Sequence, residues 1–299
     1  MDAPFALQRL DERVFVAIEP GGGSNAGVVL GEAGPIVIDA LPTPAAGAAL
    51  RRAAAEITPL PPRALIYTHH HGDHTFGGQA FDCPAIAHEA AAEALRAAGS
   101  HPGRGLLLEL FYGAHFARAI EGARPDTAAL KERFGRLDLA GLELRLPTVT
   151  FSERLTLHDP AGAAELIYTG RAHSAGDLLV FLPKERILFA GDLAFAGRMP
   201  FLAEPVGPGI FEALDQMEGL GPSRVVPGHG PPGGPEILRT MREFFTDLRE
   251  AVRALRSRGK GLDAVKAGIA LPKYADWPRY PTALPLVAEM AFLGLEAET

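Results

Sequence analysis

The chain has 299 residues, a net charge of −7 and one cysteine, with 47% hydrophobic and 22% charged residues. These values are ordinary for a folded protein that is long enough to bury a large core. The negative charge and the lack of a basic stripe in the sequence exclude nucleic acid as an expected partner. No apolar run reaches the length of a membrane span, and the first residues do not resemble a secretory signal. Because one cysteine cannot form an internal disulfide, we expect a cytoplasmic protein without a membrane partner.

Short apolar stretches alternate with helical patterns in the first hundred residues. The predicted strands are 13–18, 26–31, 35–40 and 63–68, and the predicted helices are 43–57 and 87–99. The pattern then changes at residues 101–140, where glycine and proline interrupt helical pieces and no strand pattern occurs. We interpret this segment as a helical insertion that forms a cap.

Strand patterns return in the second half of the chain. The predicted strands are 143–158, 165–170, 177–183, 186–192 and 224–230. After residue 235 the apolar residues follow helical spacing, and a tail at 271–285, rich in proline and aromatic residues, is predicted to wrap the surface. The predicted organisation is a catalytic domain over residues 1–235, with a helical C-terminal extension over 236–299 packed on the same domain.

Four of the predicted strands end in a polar residue, namely Asp39, His69, Asp192 and His229. In sheet proteins with helices on the outside, the loops at strand ends converge to form a site. The sequence therefore predicts that these four side chains lie close together.

The stretch THHHGDHTFGG at 68–78 holds four histidines and one aspartate within six positions. His69 and His71 are two residues apart, so in extended backbone they point to one side and can bind one cation. Asp73 and His74 follow a glycine at which the chain can turn, so they can serve a second cation. His70 points away from the first pair and is predicted not to be a ligand.

The motif HxHxDH at 69–74 resembles the signature of the metallo-β-lactamase superfamily. Further motifs of that family follow in the expected order around Asp39, His173 in GRAHSAGD, Asp192 in FAGD and His229 in PGHG. The resemblance implies an α/β fold, an αββα sandwich of two mixed β-sheets flanked by helices. The segment from His173 to Asp192 is most similar to metallo-β-lactamases whose second site uses a cysteine, and Asp192 stands in place of that cysteine.

The resemblance also implies a binuclear centre with two Zn²⁺ ions, although these ligand types suit iron and manganese as well. Asp39 is expected to support the ligand loops by hydrogen bonds. The implied ligands are His69, His71 and His173 for one ion, Asp73, His74 and His229 for the other, and Asp192 as the bridge between them.

The implied activity is hydrolysis, in which a hydroxide that bridges the metals attacks a small organic carbonyl or ester-like substrate. Esters, lactones, thioesters and, weakly, β-lactams are the expected substrates. Asp73 is the expected catalytic residue, since it can orient the hydroxide and move its proton. The residues predicted to contact the substrate are Phe195, Arg198, Tyr112 and Trp277.

Three other interpretations of the same motifs stay open. The first is an oxidoreductase with a single iron that resembles persulfide dioxygenases. The second is a phosphoester hydrolase that uses the same site, and the third is a metal-binding module without activity. The sequence also leaves open whether the chain forms a homo-oligomer.

Overall fold

Twelve strands form two mixed sheets in the part of the chain that the computed structural model describes, residues 4–19 and 23–297. In chain order the strands are β1 (Ala6–Arg9), β2 (Val14–Ile18), β3 (Asn25–Val29), β4 (Ile36–Ile38), β5 (Ala64–Ile66), β6 (Ala85–His88), β7 (Val149–Phe151), β8 (Arg154–Leu157), β9 (Ala164–Tyr168), β10 (Leu178–Leu182), β11 (Ile187–Phe195) and β12 (Arg224–His229).

The two sheets differ in strand direction. The seven-stranded sheet has the order β1 to β7, with antiparallel neighbours as far as β4 and parallel neighbours from β4 to β7. The five-stranded sheet has the order β12-β11-β10-β9-β8, in which β11 and β12 are parallel and the other neighbours are antiparallel. Both sheets are therefore mixed, as predicted.

The core between the sheets follows from the alternation of side chains along each strand. Ile36 and Ile38 of β4 pack in the same buried cluster as Val180 and Leu182 of β10, whereas Val37 belongs to the larger cluster that includes the helices. Both faces of the central strands are thus apolar, which explains why these strands read as continuous apolar runs.

Helices cover the outer faces of the two sheets, and this arrangement confirms the predicted αββα sandwich. No helix within the described ranges combines the length and the apolar character that crossing a bilayer requires. The helices are α1 (Pro44–Ile57), α2 (Gly72–Thr75), α3 (Glu89–Ala98), α4 (Arg104–Glu121), α5 (Ala128–Gly135), α6 (Gly209–Gly219), α7 (Glu236–Arg256), α8 (Leu262–Gly268) and α9 (Tyr280–Ala297).

Two predicted elements differ from the structure. The strand pattern at 143–158 corresponds to two short strands, β7 and β8, which belong to different sheets. The residues before β7 are held outside the sheet, where the backbone N–H of Glu143 donates to Oε1 of Gln79 at 2.6 Å. The helix predicted at 87–99 begins only at Glu89, since β6 continues through His88, whose Nδ1 caps the helix by accepting from the N–H of Ala90 at 3.2 Å.

The predicted surface tail at 271–285 is also wrong in part. Tyr274 is buried, and its hydroxyl donates to Oδ2 of Asp247 on α7 at 2.6 Å. The helix α9 then begins at Tyr280, in the middle of the predicted tail. Pro281 lies in the first turn of α9, where a proline gives up no hydrogen bond, while Pro285 lies inside the helix.

A buried carboxylate links the helical segment at 101–140 to the C-terminal helices. Glu289 on α9 is 1% exposed and accepts from Arg124 at 2.6 and 2.8 Å, from Lys266 at 2.7 Å and from His115 at 2.8 Å. Burial opposes ionisation of Glu289, yet these partners hold its pKa below the ordinary value. His115 therefore contributes to this contact and is not the free surface residue that its helical pattern suggests.

Replacing Glu289 by glutamine will lower the free energy of unfolding by roughly 2 kcal/mol or more, because the variant leaves cations at the contact without their counter-ion. Urea denaturation monitored by circular dichroism measures this loss. The matched control is Glu132→Gln, which removes an exposed ion pair with Arg136 on the surface of the same helical segment. That control will change stability by less than about 0.5 kcal/mol, and equal losses in both variants would contradict the structural role of Glu289.

Candidate metal centre

Polar residues from the strand ends of both sheets meet at one place, as their positions predicted. His69 and His71 follow β5, and the chain then turns at Gly72 into the short helix α2, which carries Asp73 and His74. The second sheet brings the others: His173 lies between β9 and β10, Asp192 lies within β11, and His229 ends β12. All seven side chains are buried.

Three of the histidines form one compact group. The ligand atoms of His69, His71 and His173 lie within 4.8 Å of one another. Nδ1 of His71 is 3.0 Å from Nε2 of His173. Two nitrogens bound to one tetrahedral zinc ion at about 2.0–2.1 Å lie roughly 3.4 Å apart, so the observed separation is close to that of two ligands of one ion.

A second group consists of Asp73, His74 and His229, whose ligand atoms also lie within 4.8 Å of one another. Asp192 stands between the two groups. Its Oδ1 is 3.1 Å from Nε2 of His74, and its Oδ2 is 3.3 Å from Nε2 of His229 and 3.6 Å from Nε2 of His173. The carboxylate of Asp192 thus reaches ligand atoms of both groups.

Unpaired polar atoms show that the centre fits metal ions. Nε2 of His69 is buried and makes no hydrogen bond with any described residue, while Nε2 of His74 and Oδ1 of Asp192 are buried, lie 3.1 Å from each other and have no other partner among the described residues. The ligand atoms of His69, His74 and Asp192 also lie within 4.8 Å of one another. Buried polar atoms without partners cost free energy, and a cation removes that cost. Imidazole and carboxylate are ligand types that zinc and similar divalent ions prefer.

Asp39 lies next to two of the candidate ligands, His74 and His69, and forms hydrogen bonds there. Its Oδ2 is 2.8 Å from Nδ1 of His74 and accepts from the hydroxyl of Thr68 at 2.8 Å, while its Oδ1 accepts from the N–H of Thr68 at 2.8 Å. The Thr68 hydroxyl oxygen in turn lies 3.1 Å from Nδ1 of His69. Because both rings use Nδ1 for these contacts, their Nε2 lone pairs are left for the metal.

Replacing Asp39 by asparagine will weaken metal binding by roughly 10–100-fold, the range found when a partner of a metal-bound histidine is changed. Asparagine keeps the shape of the side chain but loses the charge that holds the Nδ1 proton of His74. Competition with a fluorescent zinc chelator measures the affinity. The exposed Asp82, in the loop before β6, offers the matched control Asp82→Asn, and an equal affinity for the Asp39 and Asp82 variants would contradict the role of Asp39.

Two further contacts that the sequence analysis did not predict hold the loops around His173 and His229. Asp177 accepts at 2.7 Å from the N–H groups of both His173 and Ser174, and this fixes the loop that carries His173. The side-chain amide of Asn25 donates to the carbonyls of Pro227 and Gly230 at 2.8 and 2.7 Å, on either side of His229. Both contacts hold a ligand loop in place.

The charge states of the ligands follow from burial and from their neighbours. Burial, reinforced by adjacent imidazoles, lowers the pKa of His69 and of His71, so both stay neutral. Burial also opposes the charged form of His74, but Asp192, Asp39 and Asp73 together raise its pKa. Asp192 raises the pKa of His229 in the same way. Because a cation binds the neutral form of imidazole, metal binding at the second group competes with protonation of His74 and His229.

The residues predicted to contact substrate lie in different places. Phe195 is at the centre, because its ring stacks on His229 with centroids 5.4 Å apart. Arg198 is buried, and burial lowers its pKa to about 10. Tyr112 is buried against Phe201, with centroids 5.5 Å apart.

Trp277 stacks on Phe244 of α7 instead, with ring centroids 5.5 Å apart. The contacts of the described residues do not bring Trp277 together with the metal ligands, so its role in substrate binding stays a prediction. His70 is half-buried, and no group of close ligand atoms within the described ranges includes it.

The chain belongs to the metallo-beta-lactamase superfamily, since the family model matches residues 20–229. The match includes all seven candidate ligands and Asp39.

Two characterised relatives match at low identity. The chain is 26% identical over 258 residues to the 2,4-dinitroanisole O-demethylase subunit alpha of Nocardioides sp. (strain JS1661), a match that covers 84% of this chain and 63% of the relative. It is 26% identical over 113 residues to the metallo-beta-lactamase type 2 of Bacteroides fragilis, which covers 36% of this chain and 45% of that protein. The chain therefore spans less than two thirds of these relatives.

Solved structures share the fold at still lower identity. The stereoselective inverting sec-alkylsulfatase Pisa1 from Pseudomonas sp. matches 97% of this chain and 50% of its own length, with a TM-score of 0.71 and 17% identity. A metallo-beta-lactamase from Pontibacter korlensis matches 79% of this chain and 95% of its own, with a TM-score of 0.54 and 19% identity. The alkylsulfatase match thus extends over nearly all of the helical segments as well as the sandwich.

Proposed function

We propose that this chain is a binuclear metal-dependent hydrolase of a small organic substrate, with zinc as the ion that its ligands suit best. The observation that supports the proposal most strongly is the buried cluster of seven imidazole and carboxylate side chains, in which Asp192 reaches both groups. The proposed ligands are His69, His71 and His173 for one ion, Asp73, His74 and His229 for the second, and Asp192 for both.

Two divalent ions at this centre would acidify water and so supply hydroxide near neutral pH. The protein supplies the rest of the chemistry. Oδ2 of Asp73 lies 3.3 Å from Nε2 of His229, and we propose that it accepts the proton that the attacking water loses. The ring of Phe195 covers His229 and limits the access of bulk water to that side of the centre.

The substrate class is proposed from the residues together with the relatives. One relative is named for demethylation of 2,4-dinitroanisole and one structural neighbour for its action on secondary alkyl sulfates. Both names describe cleavage of a bond to oxygen, in an aryl methyl ether for the first protein and in a sulfate ester for the second. We therefore place an oxygen-linked ester-type bond first among the candidate substrates, ahead of thioesters and β-lactams.

A substrate panel on protein with measured metal content tests this proposal. The panel contains a carboxylic ester, a lactone, a thioester, a phosphoester, an alkyl sulfate, an aryl methyl ether and a β-lactam. We expect turnover of at least one oxygen-linked substrate, in proportion to the zinc content. Metal-loaded protein that turns over none of them would support a metal-binding module without activity. One iron per chain with no zinc would instead support the single-iron oxidoreductase.

A further inference from the structure

The ring of His173 is not oriented by a partner on its second nitrogen. Nδ1 of His74 lies 2.8 Å from Oδ2 of Asp39, whereas Nδ1 of His173 is buried and has no hydrogen-bond partner among the described residues. A ring without such a partner takes its position from the backbone that carries it. The placement of His173 therefore depends on the loop between β9 and β10.

Contacts from β9 and from α3 hold the backbone of this loop. The hydroxyl of Tyr168, the last residue of β9, donates to the carbonyl oxygen of Ala175 at 3.2 Å. Gly176 packs directly on α3, because a Cβ at this position would lie 2.5 Å from the backbone nitrogen of Ala91 and 2.7 Å from its Cβ. Two separate elements thus fix the chain within three residues of His173.

His88, the last residue of β6, joins these two contacts. Its ring stacks on the ring of Tyr168, with centroids 3.6 Å apart and planes within 8° of parallel. Its Nδ1 accepts from the N–H of Ala90 at 3.2 Å, so the ring proton is on Nε2, which donates to the carbonyl oxygen of Ser152 at 3.1 Å. Because both nitrogens are engaged, the ring is held firmly and gives Tyr168 a fixed surface.

We propose that Tyr168 and His88 are positioning residues for the ligand His173. Tyr168 holds the carbonyl of Ala175, while His88 holds both the ring of Tyr168 and the start of α3, on which the loop packs. Contacts that fix the orientation of a ligand tune the affinity of a metal site. This inference rests on the proposed function only in that His173 binds a metal ion, and it does not require hydrolysis.

Two variants each break one link of this chain of contacts. Tyr168→Phe removes the hydroxyl and keeps the ring that stacks on His88. His88→Asn removes the stacked ring, but asparagine is a favourable residue at the start of a helix and still offers an acceptor to the N–H of Ala90. The matched control is Tyr274→Phe, which removes a hydroxyl that donates to Oδ2 of Asp247 on α7 at 2.6 Å.

Co²⁺ is the probe, titrated into metal-free protein of the parent and of each variant. Its visible absorption reports the geometry of the surrounding ligands, and the titration gives the affinity. Tyr168→Phe and His88→Asn will change the spectrum and weaken the binding of one ion by roughly 2–10-fold, the effect of losing one neutral hydrogen bond. Tyr274→Phe will keep the spectrum and the affinities of the parent, since a loss of stability alone does not alter the ligands in the folded protein.

A double-mutant cycle connects the effect to His173. In protein that carries His173→Ala, the further change Tyr168→Phe will leave Co²⁺ binding as it is, because the ligand that Tyr168 positions has gone. The same loss of affinity with and without His173 would show that Tyr168 acts on the centre by another route, and would overturn its positioning role.

The remaining outcomes separate this inference from the proposed function. Unchanged spectra and affinities in both Tyr168→Phe and His88→Asn would overturn the positioning role, as would an equal change in Tyr274→Phe. A parent protein that binds no Co²⁺ would overturn the ligation by His173 and the positioning role together. If the variants behave as expected but the parent hydrolyses no substrate of the panel, only the hydrolase proposal fails. If hydrolysis occurs and neither variant changes Co²⁺ binding, only the positioning role fails.

Discussion

Replacing Asp192 by alanine will remove both hydrolytic activity and at least one metal ion per chain. The carboxylate of Asp192 lies 3.1 Å from His74, 3.3 Å from His229 and 3.6 Å from His173, measured to Nε2 of each ring. Its loss removes negative charge between two cations and leaves their mutual repulsion without compensation. Mutation of a residue that only hydrogen-bonds a metal ligand lowers metal affinity or activity roughly 10–100-fold. Because Asp192 is itself a proposed ligand, we expect its replacement to lower activity more than about 100-fold.

The control for this variant is Asp215→Ala, which removes an exposed carboxylate of α6 that pairs with Arg242. Metal content by mass spectrometry and initial rates should match the parent protein in that control. Circular dichroism shows whether the Asp192 variant is folded. A folded Asp192→Ala protein with unchanged metal content and unchanged rate would refute the bridging role.

Replacing Gly228 by alanine will damage the same centre without changing any ligand. A Cβ at this position would lie 1.9 Å from Oδ1 of Asp192, 2.7 Å from the carbonyl carbon of Gly191 and 2.8 Å from its oxygen. The backbone contacts cannot move aside as a flexible side chain does. Crowding of a packed interior costs about 1–3 kcal/mol, and here the shift must also displace the bridging carboxylate.

We therefore expect Gly228→Ala to lose metal affinity and to melt several degrees below the parent protein. The comparison is Gly268→Ala, at the end of α8, where an added Cβ meets nothing within 4 Å. That control should melt at or slightly above the temperature of the parent, because alanine favours a helix over glycine. If the Gly228 variant has the same melting temperature and zinc affinity as the Gly268 variant, β12 is less tightly packed than the structure indicates.

The sandwich and the metal centre were predictable because both depend on local patterns. Apolar runs buried on two faces identify the central strands, and a polar residue where each run ends identifies the site. The histidine cluster after β5 gave the spacing of one ligand pair directly. His173 was less obvious, since it is a single histidine beside a glycine turn, and only the order of the family motifs singled it out.

The rest could not be predicted because it depends on contacts between distant segments. Asn25 lies in a region without any motif, and the tertiary fold alone brings its side-chain amide to the carbonyls of Pro227 and Gly230. The strand pattern at 143–158 has the same limit, since alternation along the chain does not reveal that β7 and β8 join different sheets. The proposed domain boundary near residue 235 stays a prediction.

The most direct test of the central claim is anomalous X-ray diffraction at the zinc edge, on crystals of protein whose metal content has been measured. The account predicts two ions per chain, one held by His69, His71 and His173 and the other by Asp73, His74 and His229, with the carboxylate of Asp192 between them. A single ion per chain, or two ions that do not share Asp192, would contradict it.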